Sequence, residues 1–303
     1  MRIGTSGWHY PTGPGTWNGP FYPKPRPKGF DELAFYAETF DFVEINATFY
    51  GQPRAEVAAQ WAARTPPHFE FAAKLYQQFT HPRLFRERVE RQLTSALGAA
   101  DLPSSAIDAL VNANQADIDE FKRGIDPLAA AGKLGPLLAQ FPASFHNDAR
   151  SRAHLAALLR AFHGYTLCVE LRHRTWNTEG IEALLDGFGA AWVQIDEPKF
   201  KDSVQHVPAA ERAPLVYLRL HGRNARTWWN HAHRDDRYDY DYSKEELEPF
   251  AKTLARAEGR AYAALNNHPR AQAVANAKTL KQLVEEMTAA DTANVPAVRP
   301  SPE

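Results

Sequence analysis

Eight short apolar runs, bounded by turn residues, recur along the chain, and most are followed by a segment of helical character. They read RIGTSGW (2–8), FDFVEIN (40–46), HFEFAAK (68–74), LGPLLAQF (134–141), YTLCVELR (165–172), AAWVQID (190–196), PLVYLRLHG (214–222) and RAYAALNN (260–267). The helical stretches include RAEVAAQWAAR, ARSRAHLAALLRAF, TEGIEALLDGF and SKEELEPFAKTLARA. The last is opened by Ser243 with Glu246 in capping-box spacing. Strand then helix, eight times over, predicts an α/β fold: a single (β/α)8 barrel of the TIM type with a closed parallel sheet. At 303 residues and 44% hydrophobic, the chain is long and apolar enough for one such barrel. The barrel is expected over residues 1–294, with 295–303 as a disordered tail.

Two connections break the rhythm. Residues from about 83 to 132, after the third strand, form a long insert of helical character (LFRERVERQLTSALG, QADIDEFKRGIDPLAA). Residues 223–242, RNARTWWNHAHRDDRYDYDY, are long, aromatic and charged. Both follow strands, so both are expected over the C-terminal face, where barrel active sites are built.

Side chains alternate across a strand, so the face opposite the apolar, helix-facing residues should point into the barrel. That face carries Thr166, Cys168, Glu170 and Arg172 on the fifth run and Tyr217, Arg219 and His221 on the seventh. It carries Phe42, Glu44 and Asn46 on the second, and His68, Glu70, Ala72 and Lys74 on the third. The others contribute Ser6 and Trp8, Gln140, Trp192 with Gln194 and Asp196, and Tyr262 with Ala264 and Asn266. Nearly every face becomes polar toward its C-terminal end, whereas a purely structural lumen would be filled by branched apolar side chains. A mouth where Glu44, Glu170 and Asp196 meet Lys74, Arg172, Arg219 and His221 is either a self-neutralising ion-pair network or a ligand site. The surplus amides Asn46, Gln140 and Asn266 favour the site.

The chemistry expected there is acid–base or hydrolytic, on a small anionic or phosphate-bearing substrate. Lys74, Arg172, Arg219 and Arg223 would clamp the anion, and Asn46, Gln140, Asn266 and Trp8 would complete the binding surface. His221 would move protons near neutrality, with Glu170, Glu44 or Asp196 as the complementary carboxylate. One alternative is a metal-dependent barrel with Glu170, Asp196 and His221 as ligands and HAH (231–233) nearby, although four adjacent cations oppose a bound cation. Another is nucleic-acid binding or phosphodiester processing through RLFRERVERQL and RNARTWW, which mix Arg with aromatic residues.

Composition narrows these choices. The net charge of -1 disfavours the nucleic-acid alternative. The lone Cys168 excludes an intrachain disulfide and a cysteine-cluster metal site. Neither a phosphate-cradling nor a dinucleotide-binding glycine motif stands after a strand, so no cofactor is expected. No apolar run suits a signal region or a membrane span, and a cytoplasmic protein with no membrane partner is expected. The oligomeric state is left open.

The chain resembles the YecE-like family, in order and along nearly its whole length. The resemblance rests on GTSGWHY with WNGPFYP (4–23), FVEINATFYGQP (42–53), FEFAAKLYQQFTH (69–81) and KLGPLLAQFPASF (133–145). It continues through CVELRHRTW (168–176), VYLRLHGR (216–223) and NNHPRAQAVANAKTL (266–280). It implies a single (β/α)8-type barrel and an unassigned function, and it carries no catalytic residues. The 83–132 insert is longer than the family's usual connection.

Overall fold

The structure is a computed structural model that describes residues 1–97, 103–205 and 213–293. Its strands are β1 (Arg2–Ser6), β2 (Phe42–Ile45), β3 (Glu70–Lys74), β4 (Leu134–Gln140), β5 (Leu167–Glu170), β6 (Ala190–Trp192), β7 (Gln194–Asp196), β8 (Leu215–Leu220) and β9 (Arg260–Leu265). All pairings are parallel, and the spatial order is β6-β5-β4-β3-β2-β1-β9-β8-β7. The two edge strands, β6 and β7, are consecutive in the chain and separated only by Val193. The sheet is therefore a nearly closed barrel of nine parallel strands among the described residues, where eight were expected. The sixth run supplies two because it changes partner at Val193: β6 pairs with β5, and β7 with β8.

Helices occupy the outside. Ile3, Val43, Leu218 and Leu220 pack against them on one side, and Leu137, Ala139, Leu167 and Val169 on the other. The Lys244–Ala255 helix begins with the expected capping box, in which Ser243 Oγ accepts from the Glu246 N–H and the Glu246 carboxylate accepts from the Ser243 N–H. Inside lie Phe42, Ala72, Leu138, Cys168, Tyr217, Tyr262 and Ala264, the faces that alternation assigns to the lumen. Burial places this apolar plug between two charged layers. At the N-terminal end Glu70 accepts from Arg2, Arg260 and the Tyr262 hydroxyl. At the C-terminal end lies the cluster described below.

The sixth run has the opposite phase to the one expected. Parallel partners in register share a face, so Ile195, opposite Arg219, points inward, and Asp196, opposite Leu220, points out. Val193 and Ile195 join the lumen cluster, while Trp192, Gln194 and Asp196 do not supply its polar side chains. Asp196 instead accepts from Arg223 at 2.8 and 3.1 Å and from the Tyr242 hydroxyl at 2.7 Å, in the layer between strands and helices. Gly222, at φ +90 and with its N–H bonded to the same hydroxyl, turns the chain after His221 and sends Arg223 out of the barrel. Arg223 also reaches Glu246 at 3.0 Å, so it clips β7 to the capped helix. We expect Arg223→Met to lower stability by about 1–3 kcal/mol, the cost of leaving Asp196 short of a charged partner. It should not change anion binding at the barrel mouth; isothermal titration with phosphate, beside a urea melt, checks both halves.

The 83–132 segment contains the helices Pro82–Leu97, Ser104–Val111 and Gln115–Ala130, with part of the intervening connection outside the described residues. The last lies in the outer layer, where Gly124 has no room for a side chain against the backbone of Pro53. Pro82–Leu97 stands beside the mouth, sharing a small cavity with Pro142, Ser144 and Phe145 after β4. The expected tail, 295–303, also lies outside the described residues.

Candidate functional site

A cavity of about 930 Å³ opens at the C-terminal ends of the strands. Its floor is set by strand ends: Asn46 follows β2, Lys74 ends β3, Gln140 ends β4, Arg172 lies just past β5, and Asn266 follows β9. Arg219 of β8 and Trp8 also line it. Of the twelve residues proposed from sequence, only Asp196 and Arg223 lie apart from this group.

The floor is built around Arg219, which is 1% exposed. Its Nε and one terminal nitrogen bind Glu44 at 3.0 and 2.7 Å, and its other terminal nitrogen binds Glu170. Glu44 also accepts from Ser6 at 2.9 Å and from the Tyr217 hydroxyl at 2.8 Å. Glu170 accepts from Arg172 Nε at 2.6 Å. Burial alone would raise the Glu170 carboxyl, but Arg172 and Arg219 hold it well below the usual range. Every oxygen of these two buried carboxylates is hydrogen-bonded, the condition under which buried charge is tolerable.

His221 does not fit the role of a proton carrier near neutrality. It is fully buried, its Nε2 lies 3.2 Å from an Arg172 nitrogen, and its Nδ1 lies 3.0 Å from the Asn266 amide. Burial and the adjacent Arg219, together with Arg172, lower its pKa to about 3 despite Glu170. The imidazole is therefore neutral and accepts from Arg172, and its task is to position that guanidinium. Trp228 is buried against it, leaving that indole unavailable for stacking on a base, while Trp229 is exposed.

Lys74 has the opposite character. Its Nζ lies 4.1 Å over the Phe49 ring, and among the described residues no carboxylate pairs with it. Burial first, then Arg219 and Arg172, lower the amine to about 7 against the pull of Glu170 and Glu44. The floor's arginines are already committed to carboxylates, so Lys74 is the floor cation left uncompensated.

Other components of the site were not anticipated. Glu197 is buried 3.3 Å from Arg172, and burial, reinforced by Glu170, raises its carboxyl above the usual range despite that guanidinium. The reversed phase of the sixth run hid it: once Val193 and Ile195 point inward, so does Glu197. The walls come mainly from a third long connection, residues 7–31 after β1. Its Trp8 meets Trp61 edge-on at 5.7 Å, and its Tyr10 stacks on His268 at 4.5 Å. Trp17, fully buried, ties this connection to the loop after β9 by donating to the His268 carbonyl at 2.7 Å. In that loop Arg270 and Ala271 sit at φ 53 and 60, an uncommon conformation for non-glycine residues and one that concentrates at functional sites. Asp235 and Tyr238, from the 223–242 loop, complete the wall, whereas no described residue of the 83–132 insert lines the cavity. The richness of residues 8–30 in Trp, Tyr, Phe and Pro is the sequence signal that would have marked this wall.

The comparisons with known proteins agree on one family. The UPF0759 protein YunF of Bacillus subtilis (strain 168) is 26% identical over 302 residues, covering 94% of this chain and 95% of that protein. The crystal structure of a DUF72 family protein from Thermotoga maritima MSB8 is similar with a TM-score of 0.72 and 29% identity, covering 94% of this chain and 98% of that one. A DUF72 family protein from Enterococcus faecalis V583 shares the fold, with a TM-score of 0.73, 23% identity, and 94% and 95% coverage. Residues 2–300 match the family described as protein of unknown function DUF72, and the chain belongs to it.

Proposed function

We propose that the cavity binds a small anionic or phosphate-bearing molecule and carries out acid–base or hydrolytic chemistry on it. The observation that carries this reading is the uncompensated amine of Lys74 on a floor otherwise neutralised by its own ion pairs. A bound anion would supply the missing negative charge, and Arg172, 14% exposed, would join it from the cavity side. Asn46, Gln140 and Asn266 would orient the molecule, and the Trp8 wall would exclude water. An amine titrating at about 7 is half-protonated at neutral pH and can both accept and donate a proton, the role first assigned to His221.

The metal-dependent alternative has less support. Asp196 points into the helical layer, and among the described residues no three His, Cys, Asp or Glu side chains gather as a metal site. This proposal takes the YecE-like resemblance and DUF72 membership as one relationship. It also takes β6 and β7 as one strand interrupted at Val193, which makes the barrel eight-stranded and TIM-type. A cytoplasmic setting belongs to the same reading: Cys168 is a free, buried thiol, and no helix among the described residues is long and apolar enough to cross a membrane.

The test is a phosphate titration followed by thermal melting. Wild type should gain stability as phosphate rises, since a ligand that binds only the folded state stabilises it. Arg172→Met should weaken the phosphate affinity by about tenfold or more, the loss of one charge-assisted contact. An unchanged melting temperature from zero to 50 mM phosphate in the wild type would remove the anion-site reading.

A further inference from the structure

We propose that Lys74 is a nucleophile that forms a covalent imine with an aldehyde or ketone bearing a carboxylate or phosphate. This deepens the anion-site reading and rests on it. The geometry of the floor is the argument. Lys74 ends a barrel strand and reaches the cavity from below, so a ligand seated on Arg172 presents its neighbouring atoms to the amine. One side of Nζ is covered by the Phe49 ring at 4.1 Å, which limits its solvation. The surrounding charges are Glu44 from β2, Glu170 and Arg172 from β5 and its extension, and Arg219 from β8, with His81 beyond Phe49. The carboxylates are occupied by the arginines, so among the described residues nothing on the floor immobilises the ammonium as a salt bridge.

A lysine used only to hold an anion gains from remaining fully charged. One desolvated beside fixed cations has a neutral fraction at physiological pH, and the neutral amine is the form that attacks a carbonyl. The lowering to about 7 is what this placement would produce.

The step balances without a further reactant. The amine lone pair forms a C–N bond to the carbonyl carbon, giving a carbinolamine. The C–O bond then breaks, and the oxygen leaves as water with the two hydrogens that the neutral amine gives up. Asn46 and Gln140 place amide donors on the same floor, where they can meet the carbonyl oxygen as charge develops on it. The cavity volume of about 930 Å³ accommodates a chain or ring beyond the reacting carbon, bounded by Trp8 and Trp61.

Reductive trapping tests this. The full chain is incubated at pH 7 with pyruvate, or separately with dihydroxyacetone phosphate, in the presence of cyanoborohydride, then digested and mapped by mass spectrometry. A reduced adduct concentrated on the peptide carrying Lys74 is expected with at least one probe, and which one distinguishes carboxylate from phosphate recognition. Acetone, the neutral control, should label Lys74 about tenfold less, as should either anionic probe in Arg172→Met. Labelling should already be substantial at pH 7, where ordinary surface lysines, titrating near about 10.4, react little. Lys74→Arg keeps the charge and should bind phosphate yet yield no adduct there. Adducts spread evenly over surface lysines would overturn the imine. If phosphate still stabilises the wild type in that case, the anion site stands without the covalent step; if it does not, both readings fall.

Discussion

Replacing Arg219 with methionine is expected to destabilise the protein by about 3–5 kcal/mol, more than any other single change at the mouth. The guanidinium holds Glu44 and Glu170 at once, and both carboxylates are fully buried. Methionine fills much of the same volume, so the loss is electrostatic: two buried anions would keep only Arg172, Ser6 and Tyr217. For Glu170 the pH dependence follows from its lowered pKa. The stability contributed by its pairing is present above the unfolded value of about 4.3 and is lost as pH falls through the lower folded one. Arg219→Met removes part of that lowering, so the destabilised variant should also begin acid unfolding at higher pH than the wild type. Urea melts at several pH values measure both effects. A loss under 1 kcal/mol would mean that the network is not the frame of the mouth.

Lys74→Met should have the opposite effect on stability and a severe one on binding. The unfolded amine titrates near about 10.4 and the folded one at about 7. Between these values the unfolded chain binds more protons, so wild-type stability rises with pH across that window; below about 7 the full penalty of a desolvated ammonium is present. Removing the amine should therefore stabilise the fold by roughly 1–3 kcal/mol at pH 6, a figure reduced for the partial exposure of the side chain, and by much less at pH 10. The same change should abolish phosphate-dependent stabilisation. A variant that is more stable and does not bind is the signature of a group retained for function at the expense of the fold. A variant destabilised equally at pH 6 and pH 10 would place Lys74 among the structural residues instead.

Local pattern carried much of the architecture. The alternation in LCVELR and LVYLRLH puts Leu167, Val169, Leu218 and Leu220 against the helices and Cys168, Glu170, Tyr217, Arg219 and His221 in the lumen, as found. It works there because a period of two couples each residue's face to its neighbour's, and one apolar face fixes the other. In AAWVQID one face, Ala191, Val193 and Ile195, is wholly apolar, yet it turns into the lumen, because the lumen at that level is itself an apolar plug, so apolar content alone selects the wrong phase. The choice was made by the partners: Leu220 of β8 aligns with Asp196 and turns it outward, where Arg223 and Tyr242 receive it.

Position along a strand was equally legible, and it brought Asn46, Lys74, Gln140, Arg172, Arg219 and Asn266 to one mouth. Their division of labour was not, because the state of a charge depends on which others lie within a few ångströms across the barrel. Sequence treated Arg219 and Lys74 as equivalent cations and His221 as an ordinary imidazole. The tertiary structure gives Arg219 two carboxylates, surrounds His221 with guanidinium groups and leaves Lys74 unpaired among the described residues, because contacts of β8 with β2 and β5 join residues separated by 49 to 175 positions.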